Sequence, residues 1–512
     1  MSANKIVLTA AQARELDRRY CAETGLPSIV LMERAANALF REVEKRYPHY
    51  KLVFLLGGGN NAGDGWNLAL IAGAKGYDLE LLDFTAEREL PSDAAKMREA
   101  CRRSGFTIHS ADSAKARLAE LASSPRQSLI IDALYGSGFN LRRRSKLLEQ
   151  VKTPLEKLQS GGAKVLAVDC PSGLDSESGG ASEFTIKADI TVTFGALKYA
   201  LVSNAGRRFA GDIVVDPIGF SAQLLESVHA GDRGLEIYYD TVDQLRSFLP
   251  TAAENAHKGS FAKTCITAAS SSYPGAGLLA AKAALIAGVA YLHVNVESKL
   301  AIEVLAKNPE IVVMPEFKED FADLAHLPVH LVGPGLGNRL TESELAKFIE
   351  GASQLVLDAD ALNLIAKSDG RLLKLLEKRD TPAILTPQPR EFGRLFPNLK
   401  MTDQVGRAVE AARQSHQIIV AKDARTVVAL PNGRAYFNSS GNRLLAKAGS
   451  GDCLAGLITG LLARGLAPDK AARMGVLIHG RSADLAYRDL QTDYADLSSF
   501  FFRYLREVLR LS

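Results

Sequence analysis

A chain of 512 residues with 47% hydrophobic and 23% charged side chains exceeds one ordinary core and predicts two or three soluble globular domains. Its 62 basic and 58 acidic residues leave a formal charge of only +4, which argues against a dedicated nucleic-acid or membrane-surface protein. The five cysteines, Cys21, Cys101, Cys170, Cys265 and Cys453, are scattered without metal-ligand or redox spacing, so reduced thiols and a cytoplasmic location are expected.

The N-terminal stretch MSANKIVLTAAQARELDRRY lacks an uninterrupted apolar core, so no signal peptide is expected. Thr9-Ala10-Ala11-Gln12 has the capping-box pattern and predicts the start of a first helix. After Pro27, residues Ile29, Met32, Ala36, Leu39 and Val43 recur at helical spacing and predict a second. Short β-rich runs then alternate with helical stretches: KLVFLL, DLELLDF, SLIIDAL, AKVLAVD and DITVTFG. That alternation predicts a parallel sheet covered by helices on both faces. From about Leu224 to Asn255 no long apolar strand is evident, which suggests domains 1–235 and 236–512. Alternation resumes with TCITAAS, YLHVNV, EIVVMP, HLVGPG, QLVLDAD, AILTP and QIIVAKD, followed by a hairpin, TVVALPNGRAYFN, turning at Asn432-Gly433. The apolar stretch Leu278 to Val296 carries Lys282 and His293 and reads as a buried helix and strand, not a membrane span. Two closing helices are expected, from Gly451 and from Pro468.

In the first domain GGGNNAGDG, Gly57 to Gly65, falls between a predicted strand and a helix. Glycines there admit backbone amides to a ligand, and the helix N-terminus favours an anion. Gly57, Gly59 and Ala62 satisfy a loose dinucleotide fingerprint, and Asp83 ends the next strand where a ribose-binding acid would fall. A hydride-transferring dehydrogenase is therefore one reading. Asn60, Asn61 and Asp64 count against it, because a carboxylate in that turn repels a pyrophosphate. Asp132 ends SLIID, and Asp169 ends AKVLAVD before Cys170-Pro171-Ser172-Gly173. Ligands of an open α/β sheet bind beyond the carboxyl ends of its strands. Asn61, Asp132 and Ser172 are thus expected to converge, and all-oxygen ligands suit a hard cation. The plainer alternative is that each acid caps the next helix or turn.

GNNAGDG, DALYGSG and VDCPSGLD, in this order and spacing, resemble the NAD(P)H-hydrate epimerase family over most of residues 10–225. The resemblance implies a Rossmann-like doubly wound fold, a hydrated nicotinamide nucleotide as substrate, and a bound potassium ion. Carried over by motif, it implies substrate contacts at Asn60, Asn61, Ala62, Gly63 and Asp64, at Gly136, Ser137, Gly138, Phe139, Asn140, Leu141 and Arg142, and at Asp169. It places potassium on Asn61, Asp132 and Ser172, and makes Asp169 the candidate catalytic acid or base. Ala62 stands where the family usually has glycine.

In the second domain AGSGDCLAG, Ala448 to Gly456, opens a predicted helix. Its amides would hold a phosphoryl group while Asp452 takes a proton from a substrate hydroxyl. The plainer alternative is a favourable acid in a first helical turn. GSFAKT, Gly259 to Thr264, lacks the second glycine of a phosphate loop. HKG at His257, YPGA at Tyr273, GPGLG at Gly333, DADALN at Asp358 and GSGD at Gly449 resemble the ADP- or ATP-dependent NAD(P)H-hydrate dehydratases over most of residues 245–480. The resemblance implies a ribokinase-like α/β fold and catalysis by Asp452. It implies hydrate contacts at Ala276, Gly337, Gln388 and Asp452. The nucleotide, with Mg2+, would meet Lys422, Asp423, Ala424, Arg425, Thr426, Asn442, Gly449, Ser450 and Gly451. Gln388 replaces a family histidine, Asp423 a glycine, and Lys447-Ala448 small, polar or glycine residues, while the last helix reads LQTDYADLSSFFF instead of ending in glycines.

Taken together, the resemblances imply a bifunctional, homo-oligomeric repair enzyme acting on hydrated NADH and NADPH. The first domain would interconvert the epimers at carbon six of the nicotinamide ring. The second would phosphorylate that hydroxyl and expel phosphate. Two alternatives stay open: a small-molecule kinase fused to a dinucleotide-binding module, and an epimerase whose second domain binds nucleotide without turnover.

Overall fold

Near-continuous apolar runs such as Ser128–Ala133, buried at every residue, are what a parallel sheet covered on both faces requires. The computed structural model describes residues 5–85, 90–110, 112–123, 127–142, 145–230, 235–249, 254–255, 257, 260–301, 306, 308–314, 327–399 and 403–511. Lys258 and Gly259 of the HKG motif lie outside them. Two compact units, Met1–Arg233 and Gly234–Ser512, divide the chain.

The first unit has strands β1 (Ile6–Leu8), β2 (Lys51–Leu56), β3 (Leu79–Asp83), β4 (Ile108–Ser110), β5 (Ser128–Ala133), β6 (Lys164–Val168), β7 (Ile190–Phe194), β8 (Leu197–Lys198) and β9 (Asp212–Asp216). Seven pair in parallel in the order β4-β3-β2-β5-β6-β7-β9. The chain winds outward one way from β2 and the other way from β5, the Rossmann arrangement, with its switch point between these two strands. Helix Asn60–Ala74 packs on helices Ile29–Arg46 and Ser92–Arg103, and Asp112–Ser123 packs on Lys146–Ser160. Thr9 and Gln12 form the expected capping box, and Met32, Ala36, Leu39 and Val43 are buried.

The second unit has β10 (Glu236–Asp240), β11 (Thr264–Thr267), β12 (Leu292–Asn295), β13 (Val312–Met314), β14 (Val329–Val332), β15 (Gln354–Leu357), β16 (Ile384–Leu385), β17 (Ile418–Ala421), β18 (Val427–Ala429) and β19 (Arg434–Asn438). Their order is β13-β12-β11-β14-β15-β16-β17-β18-β19-β10. Pairing is parallel from β13 to β17; β18 is antiparallel to both neighbours, as the hairpin required. Helices Pro274–Ile286 and Ser450–Ala463 pack so closely that a Cβ on Gly456 would lie 2.1 Å from the Ala280 carbonyl oxygen.

One expectation needs correction, and one element was unforeseen. The stretch without a long apolar strand contains the short β10, parallel to β19. EIYYD is short and half polar, and it is held by pairs no local pattern reveals: Glu236 with Arg434 and Asp240 with Arg473. The chain also closes on three helices, not two. Pro468–Leu490 stops at Gln491 in the left-handed conformation, and the Ser499 amide donates to Asp496 at the start of Leu497–Leu511. Among the described residues no helix is long and apolar enough to cross a membrane.

Candidate active sites

At the switch point the loops after β2 and β5 touch. A Cβ on Gly57 would sit 2.0 Å from the Leu134 carbonyl oxygen, so only glycine permits the contact. Beside it opens a cavity of ≈ 1360 Å³, above the usual small-ligand range of about 300–1,000 Å³. Gly58, Gly59, Asn60, Asn61, Asp64, the loop Gly136–Asn140, Asp169 and Lys198 line it.

Asp169 follows β6 with φ +61°, a strained conformation for a residue with a side chain. The backbone thereby turns its carboxyl into the cavity. Oδ1 lies 2.8 Å from Lys198 Nζ and accepts from Thr193 Oγ1 at 2.9 Å; Oδ2 accepts the Ser137 amide at 3.3 Å. Burial pushes this carboxyl up, but the Lys198 ammonium and the three hydrogen bonds outweigh burial and hold it below the ordinary carboxylate range. Lys198 is itself buried, donating also to the Phe194 and Ala196 carbonyls.

Asp64 behaves oppositely. Burial, then the Asp169 and Asp17 carboxylates, push it well above the ordinary range against the pull of Lys198. Asp17, on helix Ala10–Thr24, stands on the same cavity wall. Although water reaches it, the surrounding protein raises its carboxyl, with Lys198 opposing and Asp169 reinforcing the rise.

Asp132 and Ser172 meet directly. Ser172 Oγ lies 2.5 Å from Asp132 Oδ1, and the Ser172 amide donates to Oδ2 at 2.8 Å. The Tyr135 carbonyl is 3.0 Å from the same Oγ. Asn61 abuts Gly136, the next residue: a Cβ there would be 2.7 Å from Asn61 Oδ1. Burial pushes Asp132 up to about 6 despite the hydrogen bonds of Ser172.

Other carried-over residues lie elsewhere. Ala62 is buried, and Gly63 faces the neighbouring helices, where a Cβ would strike Met32. Leu141 and Arg142 are exposed outside the cavity lining. Asp83 serves Thr85 and pairs with Arg98 at 3.0 Å, which removes the ribose-binding acid from the dehydrogenase reading. Lys198, Thr193 and Asp17 escaped the sequence reading. Buried threonines at 191 and 193 within an apolar strand were the available signal.

In the second unit, adjacent parallel strands β14 to β17 end together. They deliver Gly333–Gly337, Asp358–Asp360, Gln388 and Lys422 to one sheet edge. The Gly337 amide donates to Asp360 Oδ2 at 2.8 Å, beside a ≈ 1000 Å³ cavity also lined by Ser270, Tyr273 and Asn363. Ala276, in the first turn of Pro274–Ile286, packs against Gly335. Lys422 Nζ reaches Asp358 Oδ1 at 2.7 Å. Burial, then Asp358, raise Asp452 to about 7 against Lys422, with Asp360 adding to the rise. Gln388 caps helix Pro389–Leu395, and its amide donates to Glu391 at 2.8 Å.

Gly449 takes φ +89° before helix Ser450–Ala463. His479 Nε2 lies 3.0 Å from the Ser450 carbonyl and 3.2 Å from its Oγ; burial lowers this imidazole to about 4, so it is neutral. Lys422–Thr426 form the β17–β18 turn. Within it Arg425 is buried and donates to the Asn438 carbonyl, and Asp423 is exposed and takes the Ala424 amide. Asn442 donates to Asp484. Among the described residues no ion pair joins Asp423 to Lys447.

Comparison with known proteins gives matches over both units. The family model for the YjeF-related protein N-terminus matches residues 28–200, and that for NAD(P)H-hydrate dehydratase matches residues 264–501. The bifunctional NAD(P)H-hydrate repair enzyme of Moorella thermoacetica is 31% identical, covering 98% of this chain and 97% of its own. Those of Gloeobacter violaceus and Escherichia coli are 34% and 31% identical, covering 93% of this chain and 92% and 88% of theirs. The ADP/ATP-dependent NAD(P)H-hydrate dehydratase of Bacillus subtilis, co-crystallised with ATP/Mg2+, is 27% identical with a TM-score of 0.45, covering 53% of this chain and 98% of that one. Both matched units are α/β with largely parallel sheets, and the first has the expected Rossmann-like strand order. The chain belongs to the family of bifunctional NAD(P)H-hydrate repair enzymes.

Proposed function

We propose that the first domain interconverts the R and S epimers of hydrated NADH and NADPH, and that the second dehydrates the S epimer to NAD(P)H with an adenine nucleotide as phosphoryl donor. The observation that carries this reading is a pair of carboxyls tuned in opposite directions at two strand-end sites. Asp169 is held ionised by Lys198, and Asp452 is raised to about 7 beside the Lys422–Asp358 pair. Asp169 suits an acid–base exchange at a carbon bearing hydroxyl and nitrogen. Asp452 suits proton removal from a hydroxyl attacking a phosphoryl group. Hydroxide leaves poorly and phosphate well, so phosphorylation makes the loss of oxygen feasible.

Asn61, Asp132 and Ser172 fit potassium. Asp132 is a fully buried carboxyl reached by neutral donors, with no described lysine or arginine within ion-pair distance. A monovalent cation supplies that missing charge and fastens the Asn61 and Tyr135–Gly136 loops. Among the described residues no group of three or more histidine, cysteine or carboxylate side chains could hold a metal. Mg2+ would arrive on the nucleotide phosphates. A cytoplasmic homo-oligomer without nucleic-acid or membrane partners completes the reading. The test is recovery of NADPH from hydrated NADPH, first with ADP and then with ATP. Recovery of the S epimer alone would remove the epimerase half, and a stable phosphorylated product would replace the dehydratase by a kinase.

A further inference from the structure

The epimerase cavity holds more ionisable groups than one catalytic carboxylate requires. Asp169, Asp64 and Asp17 line it from three different elements: the end of β6, helix Asn60–Ala74 and helix Ala10–Thr24. Lys198 acts on all three, with its closest carboxylate contact Asp169 at 2.8 Å, while Arg14, Lys115 and Lys146 stand elsewhere on the cavity lining. Asp93, on helix Ser92–Arg103, also lines the cavity but is engaged by Ser28 and Lys96. No described hydrogen bond or ion pair engages the Asp64 carboxyl. Three carboxylates that share Lys198 as their common cation cannot all ionise cheaply, and the proton stays with the group that no hydrogen bond or ion pair engages.

Resting on the epimerase reading, we propose that Asp64 is the acid that works opposite Asp169, delivering a proton to the hydroxyl oxygen on carbon six of the hydrated nicotinamide. The carbon–oxygen bond then breaks, water leaves, and the ring nitrogen's electron pair forms a carbon–nitrogen double bond, so that the ring carries the positive charge. Water adds to the opposite face, its proton passes to Asp169, and the electron pair returns to nitrogen. Asp64 is left ionised and Asp169 protonated; exchange with solvent restores both. Nothing is oxidised or reduced. The net negative wall formed by Asp64, Asp169 and Asp17 stabilises the cationic ring.

Burial and its two carboxylate neighbours keep Asp64 protonated well above the usual range, whereas Asp169, despite burial, is held ionised below its ordinary value by Lys198 and its hydrogen bonds. Both required forms coexist between these limits, and the rate falls on the alkaline side as Asp64 loses its proton.

The test is epimer interconversion measured on separated R and S hydrates of NADPH, as kcat and KM against pH, for the full chain, Asp64→Asn and Asp64→Glu. Asp64→Asn should lower kcat by about 100-fold or more and abolish the alkaline limb. Asp64→Glu should keep that limb, displaced, with intermediate activity. Asp64→Asn raising KM alone with the pH profile intact would overturn the proposal and leave Asp64 a substrate contact. Activity within a few-fold of the parent would overturn it too. A parent chain that leaves the epimers unexchanged would instead overturn the epimerase reading itself.

Discussion

Lys422 Nζ donates to Asp358 Oδ1 at 2.7 Å, and the pair stands within electrostatic reach of the Asp452 carboxyl, which Lys422 pulls down and Asp358 pushes up. The lysine on the candidate nucleotide loop is therefore engaged by the neighbouring strand end and opposes the rise that burial and Asp358 impose on the candidate base.

Dehydration of the S epimer should show this directly. As the proposed base, Asp452 would work only when ionised, so the rate should rise with pH through about 7 and then level off. Lys422→Met removes a nearby positive charge and unpairs Asp358, so the rising limb should move to higher pH. The same variant should lose about 3 kcal/mol of stability, because Asp358 is buried. A limb at the parent position would refute the coupling.

Stability offers an independent check. The folded-state carboxyl of Asp452 is raised, so the folded chain holds its proton more tightly than the unfolded one. That contribution is fully present below about pH 4 and is lost as pH rises through about 7. Asp452→Asn should therefore stabilise the chain at pH 8 by about 2 kcal/mol, allowing for water that reaches the carboxyl, and by nothing at pH 4. It should also stop dehydration. Thermal denaturation at the two pH values decides the matter.

Asp169→Asn should slow epimer interconversion by about 100-fold or more while dehydration of purified S epimer continues at the parent rate. Equal loss of both activities would mean one composite site. Asparagine keeps the shape and tolerates the left-handed backbone, but it leaves the buried Lys198 ammonium without its carboxylate, so about 3 kcal/mol of stability should be lost as well.

Potassium should raise the thermal midpoint of the parent chain more than sodium or choline at equal ionic strength. Asp132→Asn should lose that difference. Equal midpoints in all three salts would remove the potassium site.

Asp423 and Lys447 form no described ion pair, so their effects on nucleotide affinity should add. Lys447→Ala should weaken ADP or ATP binding and Asp423→Gly should strengthen it. The double variant should equal the sum within about 0.5 kcal/mol. A larger coupling in isothermal titration would show that the two residues sense each other.

What could be read in advance follows a physical division. Asp132 and Asp169 were legible because strand ends in a parallel sheet are binding positions, whatever surrounds them. Thr9 and Gln12 were legible because a capping box is local. Lys198 was not, because its pairing depends on the β7–β8 turn folding back beside β6. Asp17 was not, because on its helix it reads as an ordinary solvent-facing acid. Asp83 sits where the dinucleotide fingerprint demands, but Arg98 and Thr85 claim it, and neither is visible from the motif. The strand Glu236–Asp240 is short and half polar, and its partners β19, Arg434 and Arg473 all lie far along the chain.

Gly456 follows Asp452 by one helical turn, at the point where its helix rests on the Ala280 carbonyl. The helix beneath Ala280 begins with Tyr273 and Ala276, on the candidate hydrate-binding side. The candidate base and the candidate hydrate wall are therefore mounted on two rods in direct backbone contact, and the thickness of one hydrogen atom sets their spacing. Any larger residue at 456 would act as a shim, tilting Asp452 away from the hydroxyl it must reach. A displacement of about 1 Å is enough to cost about a hundredfold in rate. The tolerance of this active site to mutation is thus decided partly inside an apolar helix interface, at a residue that touches no substrate.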